Sequence, residues 1–137
     1  GWECGYLVAS VLDIVENGAK IAILDASAEA HMPDTVLMPY RPAVRGESES
    51  GKFSYRFGGN TCLAGDVAGL ESGQPEYKFD APLNIGDRVI FEDQIHYTIV
   101  KNTTFNGIKL PDLVLADERG EVLAIKKFGY DEYARRN

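Results

Sequence analysis

The sequence predicts one mostly β domain, a sandwich or a barrel-like sheet, that ends in a short helix. Runs of β-branched, aromatic and aliphatic residues recur along the chain. Turn residues separate these runs at intervals of about 8–12 residues, a spacing typical of sandwiches and barrels. Only the C-terminal stretch has a helical pattern. The 137 residues are enough to bury a core without the help of disulfides.

The first two strands are predicted to form a hairpin. The run GYLVASVLDIV (5–15) is rich in β-branched and aliphatic residues, and the turn sequence ENG follows it. AKIAILDAS (19–27) then has the composition of a second strand at hairpin distance. Further strands are predicted at 52–59, 77–79, 87–93, 96–102, 112–117 and 121–128.

The last two predicted strands also read as a hairpin, because the sequence ERG between them places Gly120 at the turn. The tail GYDEYARRN (129–137) is predicted to be helical. Arg135 and Arg136 lie near its C-terminal end, where positive charge is favourable for a helix.

Segment 28–52 interrupts this strand pattern. It contains Pro33, Pro39 and Pro42, so it cannot form one regular helix or a central strand. Its middle is nevertheless apolar. A long apolar loop in a small domain is usually functional or covered by another part of the protein.

Charge and composition exclude several classes of function. The net charge of −7 argues against nucleic-acid binding, which needs a basic face. No apolar run approaches the roughly 20 residues of a membrane span, and no signal peptide is recognisable. Two cysteines, Cys4 and Cys62, do not form a disulfide framework, so we expect a reducing, cytoplasmic location. The first strand begins almost at residue 1, which is typical of a domain cut from a larger protein.

The stretch GNTCLAGD (59–66) is the first candidate for chemistry. Its thiol, Cys62, could be a nucleophile, a proton donor or a small buried residue; metal binding is disfavoured because there is no CxxC motif. Asp66 follows four residues later and could face the same space. His96 and Tyr97 are predicted to alternate along a strand and to face opposite sides of a sheet.

Several motifs taken together resemble a known family. TCLAGD (61–66), PLNIGDRVIFED (82–93) and HYTIVKNTTFNGIKLPDL (96–113) occur in the order and spacing of the C-terminal half of alanine-racemase-like, fold III pyridoxal-phosphate decarboxylases. HMPD (31–34) and MPYRP (38–42) are more similar to the subfamily of carboxynorspermidine (carboxyspermidine) decarboxylases, which act in polyamine biosynthesis. The resemblance covers nearly the whole chain.

The resemblance implies that residues 1–137 form the C-terminal β domain of such an enzyme. In this family an N-terminal β/α barrel carries the Schiff-base lysine and most contacts to pyridoxal 5'-phosphate. The β domain completes the active site across a homodimer interface. No lysine of this chain lies in a barrel-strand context, so the chain is not expected to turn over substrate without the missing barrel domain.

The resemblance also implies roles for five residues. Cys62 matches the cysteine that donates a proton after CO₂ leaves, which suits a thiol with an ordinary pKa of about 8.5. Tyr97 matches the tyrosine that contacts the cofactor phosphate. Asp66 and Glu29 fall where acidic groups bind the ammonium groups of a polyamine-type substrate, and Phe105 is an apolar wall beside the site.

One departure concerns the substrate. Ornithine decarboxylases have Asp directly after the cysteine and diaminopimelate decarboxylases have Glu, whereas this chain has Leu63. Leu63 therefore favours a longer amine over ornithine or diaminopimelate. Two alternatives remain open: a decarboxylase for another basic amino acid, such as diaminopimelate, arginine or ornithine, and a decarboxylase-derived binding module without catalytic activity.

Overall fold

A computed structural model of the protein describes residues 3–69 and 76–136. Within these ranges, five strands form one curled sheet in the order β4-β3-β2-β1-β5. The strands are β1 (Leu7–Glu16), β2 (Lys20–Leu24), β3 (Phe53–Gly58), β4 (Tyr77–Phe79) and β5 (Arg88–Phe91). The prediction of a mostly β domain is confirmed.

The long strand β1 causes the sheet to curl. Its first half pairs antiparallel with β5, from Leu7 opposite Phe91 to Ser10 opposite Arg88. Its second half pairs antiparallel with β2, and the register shifts between Val11 and Asp13. A bulge of this kind bends a strand and increases its twist, so β1 can hold a different neighbour along each half.

The predicted first hairpin is confirmed, whereas β2 and β3 run parallel to each other. A parallel pair needs a long crossover connection, and residues 25–52 provide it. This connection contains two one-turn helices, α1 (Ala28–His31) and α2 (Asp34–Leu37). Segment 28–52 is thus the crossover of the sheet, which explains why it is long.

Aromatic side chains fill the concave face of the sheet. Phe57 of β3 is 1% exposed, and its ring centroid lies 4.8 Å from that of Tyr77 and 5.7 Å from that of Phe91. Tilted and edge-on ring pairs at these distances add to the gain from apolar burial. Met32, in the crossover, is 2% exposed and belongs to the same core cluster. The core therefore fixes the crossover as well as the strands.

The C-terminal part contains the second predicted hairpin and the predicted helix. Strands β6 (Leu113–Ala116) and β7 (Val122–Lys126) pair antiparallel, and α4 spans Tyr130–Arg136. Among the described residues, none of the helices has the length and apolar character that crossing a membrane requires.

The prediction of a strand at 96–102 is wrong. Tyr97–Val100 forms a one-turn helix, α3, followed by a 3₁₀ turn at Phe105–Gly107. His96 has a φ of 60°, which ends the extended run from β5, and the Thr98 hydroxyl donates to the Ile95 carbonyl at 2.9 Å. These local contacts override the strand preference of the β-branched residues. His96 and Tyr97 are both exposed and lie outside the sheet, so they do not face opposite sides of it as the alternation predicted.

Candidate functional site

A loop that follows β3 carries an exposed thiol. We call residues 59–66 the thiol loop. Cys62 is exposed, is not part of a disulfide, and has a φ of 62°, in the left-handed region that non-glycine residues rarely adopt. Such a conformation persists only where surrounding contacts hold it. The contacts of the thiol loop therefore show how the protein presents this thiol.

The carboxylate of Asp66 anchors the thiol loop from inside. Asp66 is 2% exposed. Its Oδ2 accepts a hydrogen bond from the Thr61 hydroxyl at 2.5 Å. Its Oδ1 accepts from the Ser27 hydroxyl at 3.0 Å and from the N–H groups of Ala28 at 2.7 Å and Glu29 at 3.2 Å. One buried side chain thus ties the two ends of the loop together and ties the loop to α1.

These bonds also complete the start of α1. The first N–H groups of a helix lack partners within the helix. Asp66 accepts from the first two, and the hydroxyl of Ser27, the N-cap residue, accepts from the third, that of Ala30, at 2.9 Å. Hydrogen bonds to an ionised group are worth about 1.5–3 kcal/mol each, roughly twice a neutral bond. The helix and the thiol loop therefore depend on the same carboxylate.

The close approach of Asp66 explains why Gly59 begins the loop. A Cβ atom at position 59 would lie 2.1 Å from Oδ2 of Asp66, closer than any real contact. The Gly59 N–H also donates to the Asp66 carbonyl at 2.7 Å. Glycine is needed here so that the backbone can pass beside the buried carboxylate.

A second anchor comes from the 3₁₀ turn. The side-chain amide of Asn106 donates to the Thr61 carbonyl at 2.7 Å. Asn106 has a φ of 52°, a conformation that asparagine tolerates better than most residues. The bond places the turn containing Phe105, which is 38% exposed, against the thiol loop.

Four of the five predicted site residues are connected by these bonds. Cys62 and Asp66 belong to the thiol loop, the backbone of Glu29 donates to Asp66, and Phe105 adjoins Asn106. The predicted contact of Asp66 with a substrate amine stays a prediction; the observed geometry gives its carboxylate four partners within the chain.

Tyr97 lies on α3, and this helix is held by contacts other than those of the thiol loop. It is 57% exposed, and the Lys101 ammonium lies 4.5 Å from the centre of its ring. The same ammonium is 2.8 Å from Oδ1 of Asp34, a residue of α2 that is 8% exposed. The segment after α3 also returns to α1, because the Thr103 N–H donates to the Ala30 carbonyl at 3.0 Å.

A buried histidine at the end of α1 adds to this polar network. His31 is 2% exposed, and its Nδ1 accepts a hydrogen bond from the Ser27 N–H at 3.2 Å. Burial lowers the pKa of His31 from 6.5 to about 4, and the Lys109 backbone carbonyl and the Asp66 charge only partly oppose this effect. At neutral pH the imidazole is uncharged, as an acceptor at Nδ1 requires.

Sequence reasoning missed two groups of residues. It did not find Ser27 and Thr61 as partners of Asp66, although a serine before a one-turn helix is a recognisable capping signal. It also missed the pair of Asp34 and Lys101, which are 67 positions apart in the chain. No local pattern could connect residues so distant in sequence.

Comparisons with known proteins agree on one family. The family model described as "pyridoxal-dependent decarboxylase, C-terminal sheet domain" matches residues 3–94. A carboxynorspermidine/carboxyspermidine decarboxylase from Campylobacter jejuni is 52% identical over 150 aligned residues. The alignment covers all of this chain and 38% of that protein. A carboxyaminopropylagmatine decarboxylase from Synechocystis is 46% identical over 98% of this chain and 34% of that protein.

A solved structure shows the same architecture. The crystal structure of carboxynorspermidine decarboxylase from Campylobacter jejuni, complexed with norspermidine, superimposes with a TM-score of 0.89. The match covers 99% of this chain and 39% of that one, at 52% sequence identity. The chain therefore spans little more than a third of the length of the relatives it matches.

Proposed function

Because the chain belongs to the family of pyridoxal-dependent decarboxylase C-terminal sheet domains, we propose that it is the C-terminal domain of a decarboxylase of polyamine biosynthesis. The proposed substrates are carboxynorspermidine and carboxyspermidine, and the products are norspermidine and spermidine. The observation that carries this proposal is an exposed thiol on a rigidly anchored loop, in a chain 52% identical to a decarboxylase of that name.

The proposal includes a second domain and a second subunit. The relatives are longer than this chain, and we assign the β/α barrel with the cofactor-binding lysine to the remaining part of the protein. Cys62 is exposed rather than turned into its own domain, which supports an active site completed across a homodimer. Free cysteines at the surface also favour a reducing compartment, so we assign the enzyme to the cytoplasm.

In this proposal Cys62 is the proton donor. After CO₂ has left, the substrate carbon needs a proton from one defined side, and a thiol at a fixed position can supply it. The left-handed conformation at Cys62 and the anchors at Asp66 and Asn106 keep the thiol at that position. Catalytic groups act only when held close to the productive geometry.

Four residues have proposed roles in binding the substrate or in holding the loop beside it. Glu29, half-buried on α1, is proposed to attract an ammonium group of the polyamine, and Phe105 to pack against its methylene chain. Asp66 is proposed to act mainly by holding the loop, since its oxygens already accept hydrogen bonds. Leu63 is 42% exposed and uncharged, which suits a long chain whose charges lie further from the thiol than in ornithine.

The described residues fit a supporting contact to pyridoxal phosphate. Tyr97 is 57% exposed on a short helix, so its hydroxyl is available to donate to a phosphate oxygen, and the Lys101 charge beside it is compatible with an anion. When bound, the cofactor supplies the electron sink for loss of CO₂. Tyr97 would hold the phosphate and thereby orient the cofactor.

The Synechocystis relative supports a second candidate substrate, carboxyaminopropylagmatine. The two candidates differ in the far end of the amine, so a substrate panel separates them. Purified full-length enzyme is assayed with carboxynorspermidine, carboxyspermidine, carboxyaminopropylagmatine, diaminopimelate, arginine and ornithine. We expect the first two to have the highest kcat/KM. A preference for ornithine or diaminopimelate would refute the interpretation of Leu63, and no activity at all would favour a non-catalytic binding module.

The role of Cys62 is tested in the same enzyme. Cys62→Ala is expected to lower kcat by about 100-fold or more while cofactor absorbance stays nearly unchanged, since general acids typically contribute factors of this size. Cys4→Ala, which removes the other exposed thiol, is the matched control and should keep full activity.

Mixing subunits tests the shared active site. Cys62→Ala subunits are combined with subunits that lack the cofactor-binding lysine of the barrel. If the sites are shared, half of the dimers regain one intact site, and activity recovers to about a quarter of the wild-type value. No recovery, in subunits shown to exchange, would assign Cys62 to the active site of its own subunit.

A further inference from the structure

The helix that carries Tyr97, α3, has little stability of its own. α3 is a single turn of four residues, and isolated helices of this length are unstable in water. The residue before it, His96, has a φ of 60° and a ψ of −110°. Residues other than glycine rarely adopt this backbone conformation, because it is strained for them. Contacts from elsewhere in the fold must therefore hold Tyr97.

A charged pair at the end of α3 provides such a contact. Lys101, the C-cap residue of α3, places its ammonium 2.8 Å from Oδ1 of Asp34 and 4.5 Å from the Tyr97 ring centre. The Asp34 side chain is 12% exposed and the Lys101 side chain 41% exposed. A carboxylate this buried needs a partner, and the partner lies against the face of the tyrosine.

We infer that Lys101 and Asp34 are positioning residues for Tyr97. Asp34 fixes the Lys101 ammonium, the ammonium packs on the face of the Tyr97 ring, and the ring is thereby held in one orientation on a helix that is otherwise weak. The inference rests on the proposed role of Tyr97 at the cofactor phosphate. It adds that Asp34, on α2 within the crossover, sets the orientation of the Tyr97 ring.

Two observations favour this arrangement over a purely structural ion pair. Lys101 lies four positions after Tyr97, and its N–H donates to the Tyr97 carbonyl at 3.0 Å, so backbone and side chain both link the two residues. Other contacts stabilise the segment without touching the ring: the Thr98 hydroxyl bonds to Ile95, and the Thr103 N–H bonds to Ala30. Of the contacts that residues 3–69 and 76–136 make with α3, the Lys101 ammonium is the one that lies over the Tyr97 ring.

The test uses the full-length enzyme and compares Lys101→Met, Asp34→Asn and the double variant. We expect each single variant to weaken the binding of pyridoxal phosphate to the apo enzyme by about 3- to 10-fold, as the loss of a partly buried pair and a cation–π contact predicts. The double variant should be no worse than either single one. Binding is measured by titration followed through cofactor absorbance.

The matched control is Lys109→Met. Lys109 also pairs with an aspartate, Asp112, at 2.8 Å, but this pair lies at an exposed position within one segment. Its removal should leave cofactor affinity unchanged. Lys101→Arg keeps the charge and should restore at least part of the affinity. Hydrogen exchange of residues 96–101 in the apo enzyme, which needs no bound cofactor, should become faster in Lys101→Met and Asp34→Asn only.

Three outcomes would overturn the inference. If Asp34→Asn strengthened cofactor binding while Lys101→Met weakened it, Lys101 would act on the phosphate directly. If both variants bound the cofactor and exchanged like wild type while Tyr97→Phe bound it weakly, Tyr97 would keep its proposed role without this pair. If Tyr97→Phe bound the cofactor normally, the proposed role of Tyr97 would fail, and the inference with it. Should Asp34→Asn fold poorly, Lys101→Met decides, because its side chain is partly exposed.

Discussion

The thiol loop and the β6–β7 hairpin are stabilised in opposite ways. The thiol loop contains little regular structure, yet Asp66 is 2% exposed and accepts hydrogen bonds from four residues. The hairpin is regularly paired, from Leu113 opposite Lys126 to Ala116 opposite Val122, but most of its side chains are exposed. Val114, Leu115, Val122, Leu123 and Ile125 are each more than half exposed.

The difference separates a region that buried hydrogen bonds stabilise from one whose apolar side chains the described residues leave exposed. Buried polar bonds within the chain can hold a loop rigid without any further partner. Contiguous exposed apolar side chains commonly mark a surface that another surface covers. The hydrogen bonds that hold the thiol loop all lie within the chain, whereas the apolar side chains of the hairpin are left exposed by the described residues.

The largest effect should come from the carboxylate that anchors the thiol loop. Asp66→Ala leaves two helix N–H groups and two hydroxyls without their acceptor in a buried place, and we expect local stability to fall by at least about 3 kcal/mol. Hydrogen exchange of residues 27–31 and 59–66 in the full-length protein measures this loss.

The hairpin offers a matched control for Asp66. Asp117 also accepts two backbone N–H groups, those of Arg119 and Glu121, both at 2.9 Å, but it lies at an exposed turn. Asp117→Ala should reduce protection of the hairpin by about 1 kcal/mol or less, because water can replace the lost acceptor. Equal effects of the two substitutions would mean that burial does not distinguish the two regions.

The next effect depends on pH. His31 has a pKa of about 4 in the folded protein against 6.5 for an ordinary histidine, so the unfolded segment binds a proton more readily. Stability at this site is therefore complete above pH 6.5 and is lost as the pH falls towards 4. At about 1.4 kcal/mol for each tenfold change in proton affinity, the loss amounts to about 3 kcal/mol.

Exchange protection of residues 27–31, followed from pH 7 to pH 4, tests this prediction. His31→Gln cannot titrate and should have a flatter pH profile than wild type, whereas His96→Gln, at an exposed position, should retain the wild-type profile. A His31→Gln profile parallel to that of wild type would exclude His31 as the source.

The smallest effect should come from the anchor at the 3₁₀ turn. Asn106→Gly keeps a residue suited to a φ of 52° and removes the bond to Thr61, which should cost about 1 kcal/mol. Asn106→Ala removes the bond and adds backbone strain, so its cost should be larger by about 1 kcal/mol. The difference between the two variants in exchange of residues 59–66 isolates the backbone contribution; no difference would show that the strain is relieved by movement of the turn.

The fold class followed from residue patterns because strands and tight turns are local. The ENG and ERG sequences place their turns by backbone preference alone, and both hairpins were predicted. The parallel pairing of β2 with β3 was not predicted, since it joins residues on either side of a long crossover. The strand predicted at 96–102 failed because the conformation of His96 redirects a β-branched run.

In the candidate site, too, local features could be predicted from the sequence and long-range contacts could not. Cys62 could be singled out because a thiol among glycines is a recognisable signal within eight residues. The positions that hold it could not, because Asp66 reaches back 39 positions to Ser27, and Asn106 reaches back 45 positions to Thr61. The resemblance to a family implied roles for single residues, and these roles stay predictions. It did not supply their contacts, such as the four hydrogen bonds that the Asp66 carboxylate accepts.

The parallel arrangement of β2 and β3 has a consequence for the order of folding. The β1–β2 hairpin is closed by a short turn and can form early, whereas β3 can dock only after the ends of residues 25–52 have come together. The bonds between Asp66 and α1 join that crossover to the loop after β3, so they belong to the late steps. Insertions among residues 45–50 of the crossover, which are mostly exposed, would slow this docking only slightly, since closure entropy grows with the logarithm of length. Evolution could therefore lengthen or shorten this connection without changing the sheet.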